Sequence, residues 1–317
     1  MIRVLLSPEK KAVSIAHRIK SIIGFVMKML PITYLGAPLY KGNKRKALFE
    51  NLIDEIRAKV IGWEHCLLLY GGRLQLIRSV LSSMSIYLFQ VLNPRISTIQ
   101  KLEQLFAKFF WGSNSQKRKI HWTKWHNICF PTDEGGLGIR NLRDMITTFS
   151  YKLWWRLRLN NSLWSEFTIS TLANLVETQC NLHIPVKLSK HGAFTTKSAW
   201  EEIRSNQPVQ PLYRSLWSKL IMPNISVFAW RLIHNWIPVD DRLKQKGITL
   251  VSKCCCCEAE ETVPHLFFHN EQSLEVWGYF VAKFQINIPQ TNDIANIIQS
   301  WKHRLSTKPH IRDVILY

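Results

Sequence analysis

Four consecutive cysteines and two histidines lie within the stretch SKCCCCEAEETVPHLFFHN, at positions 252–270. Cys254 and Cys257 form a CxxC pair, a spacing at which two thiolates can turn toward one ion. His265 and His269 follow in an Hx3H arrangement. Two sulfurs and two imidazoles can close a tetrahedral site, and this set of ligands favours zinc. The sequence therefore predicts one structural Zn²⁺ bound by Cys254, Cys257, His265 and His269.

Other interpretations of the cysteine cluster remain open. Cys255 and Cys256 are weaker ligand candidates, because adjacent cysteines usually cannot face the same ion. The spacer before His265 is shorter than that of a DNA-reading C₂H₂ finger, so no recognition helix is implied. The pair could instead be a redox CxxC, although no βαβ pattern supports it. The cysteines could also be buried as small hydrophobic groups.

The composition is that of a folded globular protein. The 317 residues are 46% hydrophobic and 20% charged, which leaves room for two modest domains. No run of about 18 apolar residues occurs, so a membrane span is not predicted. The first residues lack the features of a secretory signal. We therefore expect an intracellular, reducing setting, in which cysteines serve as metal ligands or free thiols more often than as disulfides.

Positive charge is concentrated in the first half of the chain. The net charge is +20; residues 1–160 hold 26 Lys and Arg against 9 Asp and Glu, whereas residues 161–317 hold 16 against 13. A basic half beside a nearly neutral half favours a surface that faces a polyanion. The alternative is a basic domain with no such partner.

The segment SNSQKRKIHWTKWHN, residues 113–127, interleaves cations with aromatic rings. Cations can contact phosphates while rings stack on unpaired bases, which suits RNA or single-stranded DNA. For Trp122 and Trp125 we favour the alternative that the rings pack inward, which leaves the lysines for phosphates. The predicted nucleic-acid contacts are Lys44, Arg45, Lys46, Lys117, Arg118, Lys119 and Lys124.

Helices must position these residues. Apolar side chains recur at steps of three and four, which predicts helices over residues 44–63, 74–91 and 99–111. Gly71-Gly72 is expected to break the first pattern, and residues 1–112 to be mostly helical. A further helix is predicted within residues 147–180.

Two short motifs resemble functional sites, a nucleotide-binding loop and a pair of catalytic carboxylates, but we interpret both as structural. DEGGLGI, residues 133–139, lacks the spacing of a nucleotide-binding loop, so we interpret it as a turn. The pair Asp240-Asp241 follows Pro238 and precedes a basic helical stretch, so helix capping is favoured over catalysis. Later helices are predicted to begin near Thr195 and to be broken at Pro223.

Several ordered motifs resemble the reverse transcriptases of plant non-LTR (LINE-type) retrotransposons. LWSKLIMPNISVFAWRLIHNWIPVDDRLKQKGI, SKCCCC, EETVPHLFFH and VWGYF resemble their zinc-binding domain, with HGAFTTKSAWEEIR as its lead-in. LPITYLGAPLYKG, LLLYGGRLQLIRSVLSSMSIYLFQ, FFWG and DEGGLGIRNL resemble the segment after the polymerase palm. The likeness covers roughly residues 30–285.

The resemblance implies a mainly α fold in three parts. Residues 1–185 would form a basic, helical, thumb-like connecting region. Residues 186–285 would form a smaller helical zinc-binding domain with a knuckle. Residues 286–317 would be a C-terminal tail or the start of a truncated following segment.

Two departures from the family pattern limit what carries over. Many members have a cysteine where this chain has Asn270, so Cys254, Cys257 and His265 carry over as ligands, whereas His269 is a substitute. The paired aspartates that two-metal phosphoryl transfer requires are also missing. In the family they lie in a YADD-type motif, which would precede Met1, and no RNase H-like stretch follows residue 285.

We therefore expect a non-enzymatic fragment of an RNA-directed DNA polymerase that binds nucleic acid and one zinc ion. The alternatives are a residual polymerase that needs a separate palm, and a decayed element with no selected activity. The resemblance implies a nuclear location, with which the basic cluster at 44–46 is compatible.

Overall fold

The fold is mainly α-helical, as predicted. A computed structural model describes much of the chain, and the helices dominate that part. The described residues are 4–6, 21–22, 24, 26–28, 30, 32–40, 46–64, 66–113, 116, 118–159, 161–163, 165–166, 194–218, 221–284 and 295–297. The described helices are α1 (Glu50–Glu64), α2 (Tyr70–Leu76), α3 (Ser82–Phe89), α4 (Ile96–Trp111), α5 (Trp125–Ile128), α6 (Leu142–Leu159), α7 (Thr196–Ile203), α8 (Pro211–Leu216), α9 (Pro223–Ile233), α10 (Asp240–Gln245) and α11 (Glu271–Phe284).

The chain forms two compact units, and each is assembled from three separate stretches. Unit 1 comprises Met1–Gly62, Ser79–Phe106 and Leu142–Arg204. Unit 2 comprises Trp63–Arg78, Ala107–Asn141 and Ser205–Tyr317. The predicted domain boundaries, at residues 185/186 and 285/286, both lie outside the described residues.

Unit 1 begins with short strands, so the expectation of a mostly helical N-terminal region is wrong for its first described residues. β1 (Val4–Leu6) pairs in parallel with β2 (Val26–Lys28). β3 (Ile32–Tyr34) pairs antiparallel with β4 (Ala37–Leu39). The second pair is a tight hairpin in which Leu35 and Gly36 both adopt positive φ. Such a turn matches the twist of paired strands, and helical periodicity does not reveal it.

The helices of unit 1 pack through the apolar faces that the sequence predicts. Leu52, Ile56 and Val60 of α1 are buried, as the spacing of four requires. α6 packs against α3 and α7. Thr195 caps α7, because its hydroxyl accepts a hydrogen bond from the Ser198 N–H at 3.0 Å.

The expected break at Gly71-Gly72 is wrong. Both glycines lie inside α2, and a π-helical turn (Ile77–Leu81) joins α2 to α3. Gly71 has a packing role in unit 2, because a Cβ placed there would lie 2.4 Å from the Asn224 Oδ1 of α9. The Gly71 N–H also donates to that oxygen at 2.8 Å. The glycine therefore permits close approach of α2 and α9.

Two features of unit 2 agree with the sequence interpretation. Residues 133–139 lie in a turn that begins with a 3-10 helix (Thr132–Glu134) and has positive φ at Gly135 and Gly138. Pro223 occupies the first turn of α9, where proline is tolerated because its missing N–H would have no helical partner. The proline therefore starts a helix as well as ending the segment before it.

Large aromatic residues fill the interior of unit 2. Trp111 and Trp230 are fully buried. The indole N–H of Trp230 donates to the Gly135 carbonyl at 2.8 Å, which ties α9 to the glycine-rich turn. Arg231 is 7% exposed, and its guanidinium lies 4.5 Å from the centre of the Tyr70 ring. Within the described part of the chain, no helix has the length and apolar character needed to cross a bilayer.

Candidate metal centre

A tight loop in unit 2 carries the four cysteines. The Cys254 N–H donates to the Ala259 carbonyl at 2.9 Å, and the Glu261 N–H donates to the Ser252 hydroxyl at 3.0 Å. The Asp241 N–H reaches the Glu261 carbonyl at 3.3 Å, which connects the loop to α10. These hydrogen bonds hold the loop in its bent shape.

A short helical turn positions the histidine. His265 opens a π-helical turn (His265–His269), and its N–H donates to the Thr262 hydroxyl at 3.2 Å. The turn is fixed by a hydrophobic cluster in unit 2 that also holds partly buried Trp277 of α11. The buried members of that cluster are Ile237, Val239, Val263, Phe268 and Ile297.

Three of the predicted ligands converge. The ligand atoms of Cys254, Cys257 and His265 all lie within 4.8 Å of one another. The Cys257 Sγ lies 3.1 Å from the His265 Nε2. Donors around a tetrahedral zinc ion stand about 3.4–3.8 Å apart, given bonds of about 2.0–2.3 Å. The donor set therefore fits zinc after small side-chain movements.

Hydrogen bonds favour the thiolate of Cys254. Although Cys254 is only 2% exposed, a backbone hydrogen bond from Cys256 lowers its pKa to about 7. Burial opposes this shift, and hydrogen bonds from His265 and Cys257 add to it. Backbone N–H groups that point at the first sulfur of a CxxC stabilise its charged form, which is the form that binds metal.

Cys256 differs from Cys254. It is exposed, and its Sγ lies 3.8 Å from that of Cys255 and 3.3 Å from the Gln272 Oε1. A hydrogen bond with Cys255, burial and the negative charge of neighbouring thiolates raise its pKa to about 11.

The remaining predicted ligand, His269, is exposed. Among the described residues it belongs to neither group of ligand atoms that lie within 4.8 Å of one another. Asn270 is buried and serves as the N-cap of α11: its Oδ1 accepts a hydrogen bond from the Ser273 N–H at 2.6 Å, and its Nδ2 donates to the Leu266 carbonyl at 3.2 Å. Both ends of the Asn270 amide are therefore occupied.

The predicted nucleic-acid residues are described only in part. Arg118, Lys119 and Lys124 are exposed in unit 2. Lys44, Arg45 and Lys117 lie outside the described residues, as does the side chain of Lys46.

The tryptophans of the same segment are more buried than its histidines. Trp122 is 8% exposed, which confirms the packing interpretation for that ring, and Trp125 is half-buried. His121 stacks on Trp111 and lies 3.3 Å from the Ser113 hydroxyl. Burial and the charge of Lys108 lower the pKa of His121. The described part of the segment therefore exposes its cations and its two histidines, and buries Trp122.

Asp240 and Asp241 do not cap α10 as predicted. Val239 holds the N-cap position and makes no side-chain capping bond, while both aspartates lie in the first turn. Their carboxylates stand near the positive end of the helix, where negative charge is stabilising. Asp241 also pairs with Arg242 at 3.4 Å.

Two features of the site were missed in the sequence. The cap at Asn270 could have been found, since asparagine before an acidic first turn is a helix-start signal. The convergence of Cys254, Cys255 and Cys256, whose sulfurs also lie within 4.8 Å of one another, could not. It depends on the bend of the loop, which the sequence does not reveal.

Parts of the chain are similar to a known protein family and to two known proteins. Residues 194–277 match the family model described as zinc-binding in reverse transcriptase. A protein of Arabidopsis thaliana named "Putative ribonuclease H protein" is 35% identical over 129 residues, which is 40% of this chain and 21% of that protein. An uncharacterized mitochondrial protein of Arabidopsis thaliana is 43% identical over 44 residues, 14% of this chain and 29% of that protein. The chain thus spans about a fifth to a third of these relatives, and its cysteine cluster lies within a segment similar to a reverse transcriptase zinc-binding domain.

Proposed function

We propose that this chain is a retroelement-derived module that holds one structural zinc ion and binds RNA or single-stranded DNA without catalysing polymerisation. The observation that carries the proposal is the convergence of Cys254, Cys257 and His265 within the matched segment. Two thiolates and an imidazole are soft and borderline donors, which suit zinc.

The zinc ion would stabilise the second unit. The cysteine loop and the π-helical turn carry the ligands, and the turn also contributes Phe268 to the hydrophobic cluster. A metal that joins the loop to the turn would hold both against that cluster. Structural zinc sites contribute directly to folding free energy.

The nucleic-acid part of the proposal rests on charge. Arg118, Lys119 and Lys124 are exposed close together in sequence, in the strongly basic half of the chain. Contacts from such cations go to phosphates, so they give affinity with little sequence preference. Resemblance to plant LINE-type reverse transcriptases supports the same partner and a nuclear location.

Metal analysis tests the zinc site. We expect one zinc per chain in purified protein and its loss in the Cys254→Ser, Cys257→Ser double variant. Cys66→Ser is the matched control, because Cys66 is an exposed free cysteine far from the loop in sequence. Wild-type protein that binds no zinc, or a double variant that retains it, would contradict the proposal.

Salt titration tests the phosphate contacts. Binding of a fluorescent single-stranded RNA should weaken linearly in log–log form as salt rises. Replacing Arg118, Lys119 and Lys124 by alanine should lower the slope by about 2, at about 0.7 per contact. The control replaces Lys59, Arg95 and Lys101, which are also exposed cations, and should leave the slope nearly unchanged. Equal slopes for both triple variants would reject this surface.

A primer-extension assay tests the non-enzymatic part. The chain alone with Mg²⁺, a template and a primer should give no extension. Extension above that of a buffer blank would show that a polymerase activity is present.

A further inference from the structure

We propose that a small pocket in unit 2 binds one backbone phosphate of a single-stranded nucleic acid, with Arg73 as its principal cation. The inference rests on the proposed function and adds a residue of α2 to the cations that contact phosphates. The pocket has a volume of about 220 Å³. Its walls come from the ends of α1 and α4, from α2 and from the segment 113–127, all of which belong to unit 2 at these residues.

The backbone at Gly112 makes room for the Arg73 guanidinium. Gly112 follows α4 with a φ of +71°, and a Cβ placed there would collide with the Arg73 Nη1. Any other residue would strain the backbone and displace the guanidinium. The C-terminal end of α4 carries partial negative charge, which favours a cation at this place. Packing and the end of the helix therefore hold the guanidinium beside the pocket.

The Arg73 guanidinium keeps its hydrogen-bond donors for a ligand. Among the described residues it forms no ion pair, and it lies 5.8 Å from the centre of the Tyr70 ring. Arg73 is half-buried, yet its nitrogens are not among the polar atoms sealed from solvent. The planar fork of a guanidinium matches the oxygens of a phosphate, which can accept two parallel hydrogen bonds.

A second cation, Lys119, lines the same pocket and is exposed. The buried Ser113 hydroxyl fixes the backbone there, because it accepts a hydrogen bond from the Lys119 N–H at 3.0 Å. The exposed carboxylate of Glu64 also lines the pocket. Two cations against one carboxylate leave a net charge of +1, within the strongly basic half of the chain. The charge of the pocket therefore favours an anion.

An aromatic wall favours a nucleotide over a bare anion. Trp63 lines the pocket, is half-buried and packs against Phe109 with ring centres 5.6 Å apart. Cations that contact the backbone, beside rings that contact bases, are the combination that binds single strands. Lys119 also belongs to the exposed cations proposed above to contact phosphates. The pocket therefore extends that surface to Arg73.

Chemical modification of the full wild-type chain tests the assignment. Phenylglyoxal reacts with guanidinium groups that it can reach, and peptide mass spectrometry identifies each modified arginine. We expect Arg73 to react in the free protein and to lose this reactivity in the presence of saturating single-stranded RNA. Arg95, an exposed arginine of unit 1, is the control and should react equally with and without RNA.

Several results of this experiment would overturn the proposal. An Arg73 that does not react in the free protein is closed to ligands, and an Arg73 that reacts equally with and without RNA does not contact it. Equal protection of Arg73 and Arg95 would show that RNA covers the chain without using the pocket. Protection by inorganic phosphate alone, with none by RNA, would exclude a nucleic acid as the occupant.

Substitution of Arg73 measures the contribution of the contact. Arg73→Gln should weaken RNA binding about 5-fold at about 0.1 M salt and lower the log–log salt slope by about 0.7, as expected for one phosphate contact to a single strand. Arg73→Lys keeps the charge and should retain most of the slope. Lys101→Gln, which removes an exposed cation of α4, is the matched control and should change neither quantity.

Urea unfolding of each variant shows whether it is folded. A folded Arg73→Gln variant that binds RNA as wild type does would overturn the proposal. Because phenylglyoxal acts on wild-type protein, its result decides the question even where Arg73→Gln fails to fold.

RNA binding by wild-type protein separates the two levels of the argument. Wild-type protein that binds no RNA rejects the proposed nucleic-acid function itself. RNA binding that weakens on replacement of Arg118, Lys119 and Lys124, while Arg73 stays reactive in the complex, rejects only the pocket.

Discussion

At the scale of single residues, the Asn270 side chain is committed to starting α11. The reverse transcriptases that the sequence resembles often have a cysteine at this place. Helix capping and metal binding make opposite demands on that position, because a cap must face the helix backbone and a ligand must face the ion. Asn270 is therefore unsuited to be a ligand of the proposed zinc ion.

Loss of this cap should be measurable. Asn270→Ala removes the acceptor for the Ser273 N–H and should lower the free energy of unfolding by about 1 kcal/mol, within a range of about 0.5–2 kcal/mol. Asn270→Asp keeps an acceptor at the same place and should lose less. Urea unfolding of the zinc-loaded proteins checks both. Equal stability of the alanine variant and wild type would show that the cap contributes nothing.

The residue scale is also where sequence reasoning was most and least successful. The convergence of Cys254 and Cys257 could be predicted because the CxxC spacing lets two nearby side chains reach one point, and His265 joins them as the resemblance implies. The place of Cys256 could not be predicted, since it depends on a loop bend stabilised by the Cys254–Ala259 hydrogen bond. The spacing of two residues in the sequence shows whether their side chains can meet. The bend of a loop depends on hydrogen bonds between residues several positions apart, which the spacing does not show.

At the scale of elements, the junction of α2 and α9 shows why two adjacent glycines differ. A Cβ on Gly71 would meet Asn224 and Pro223 of α9, whereas a Cβ on Gly72 would meet only the Leu68 side chain, at 3.4 Å. The sequence shows the same residue twice and suggests a break. Only the packing reveals that the first glycine is needed for contact and the second is not.

Alanine substitutions at Gly71 and Gly72 can be compared directly, because the two glycines are adjacent in the same helix. Gly71→Ala should destabilise unit 2 by about 1–3 kcal/mol, because the added methyl group must displace the backbone of α9. Gly72→Ala should be neutral or stabilising by up to about 1 kcal/mol, since alanine favours the helix. Thermal or urea unfolding checks the order. Similar effects of the two substitutions would show that α2 and α9 are not in close contact.

The spacing of apolar residues predicted helices correctly where a helix has one buried face. α1 buries Leu52, Ile56 and Val60 at regular spacing, and α4 ends at Trp111, before Gly112 with its positive φ. The short β hairpin at residues 32–39 escaped prediction, because three-residue strands are too short to show an alternating pattern.

At the scale of the whole molecule, Ile297 lies beyond the segment matched by the family model but belongs to the core of unit 2. It is 1% exposed and packs in the cluster that holds Val263 and Phe268. Ile297→Ala should therefore destabilise the protein by about 2–5 kcal/mol, as expected for a buried large-to-small change. Ile248→Ala, at an exposed position, is the control and should cost much less. Equal effects would place residue 297 outside the core.

Removal of the metal should act on the same unit. A chelator should lower the unfolding temperature of wild-type protein and leave that of the Cys254→Ser, Cys257→Ser variant unchanged, because binding to the native state adds to its stability. Differential scanning calorimetry with and without chelator checks this. If the chelator leaves the unfolding temperature of both proteins unchanged, zinc does not stabilise the fold.

The division of each unit among three stretches of chain has a consequence for synthesis on the ribosome. Unit 1 needs residues up to Arg204, yet residues 63–78 and 107–141, which belong to unit 2, emerge earlier. Since a polypeptide is made in order, those early pieces of unit 2 must wait for α9 and the residues after it before the unit is complete. The contacts of Gly71 with Asn224 and of the Gly135 carbonyl with the Trp230 indole can therefore form only late in translation, and the surfaces that meet there stay uncovered until then.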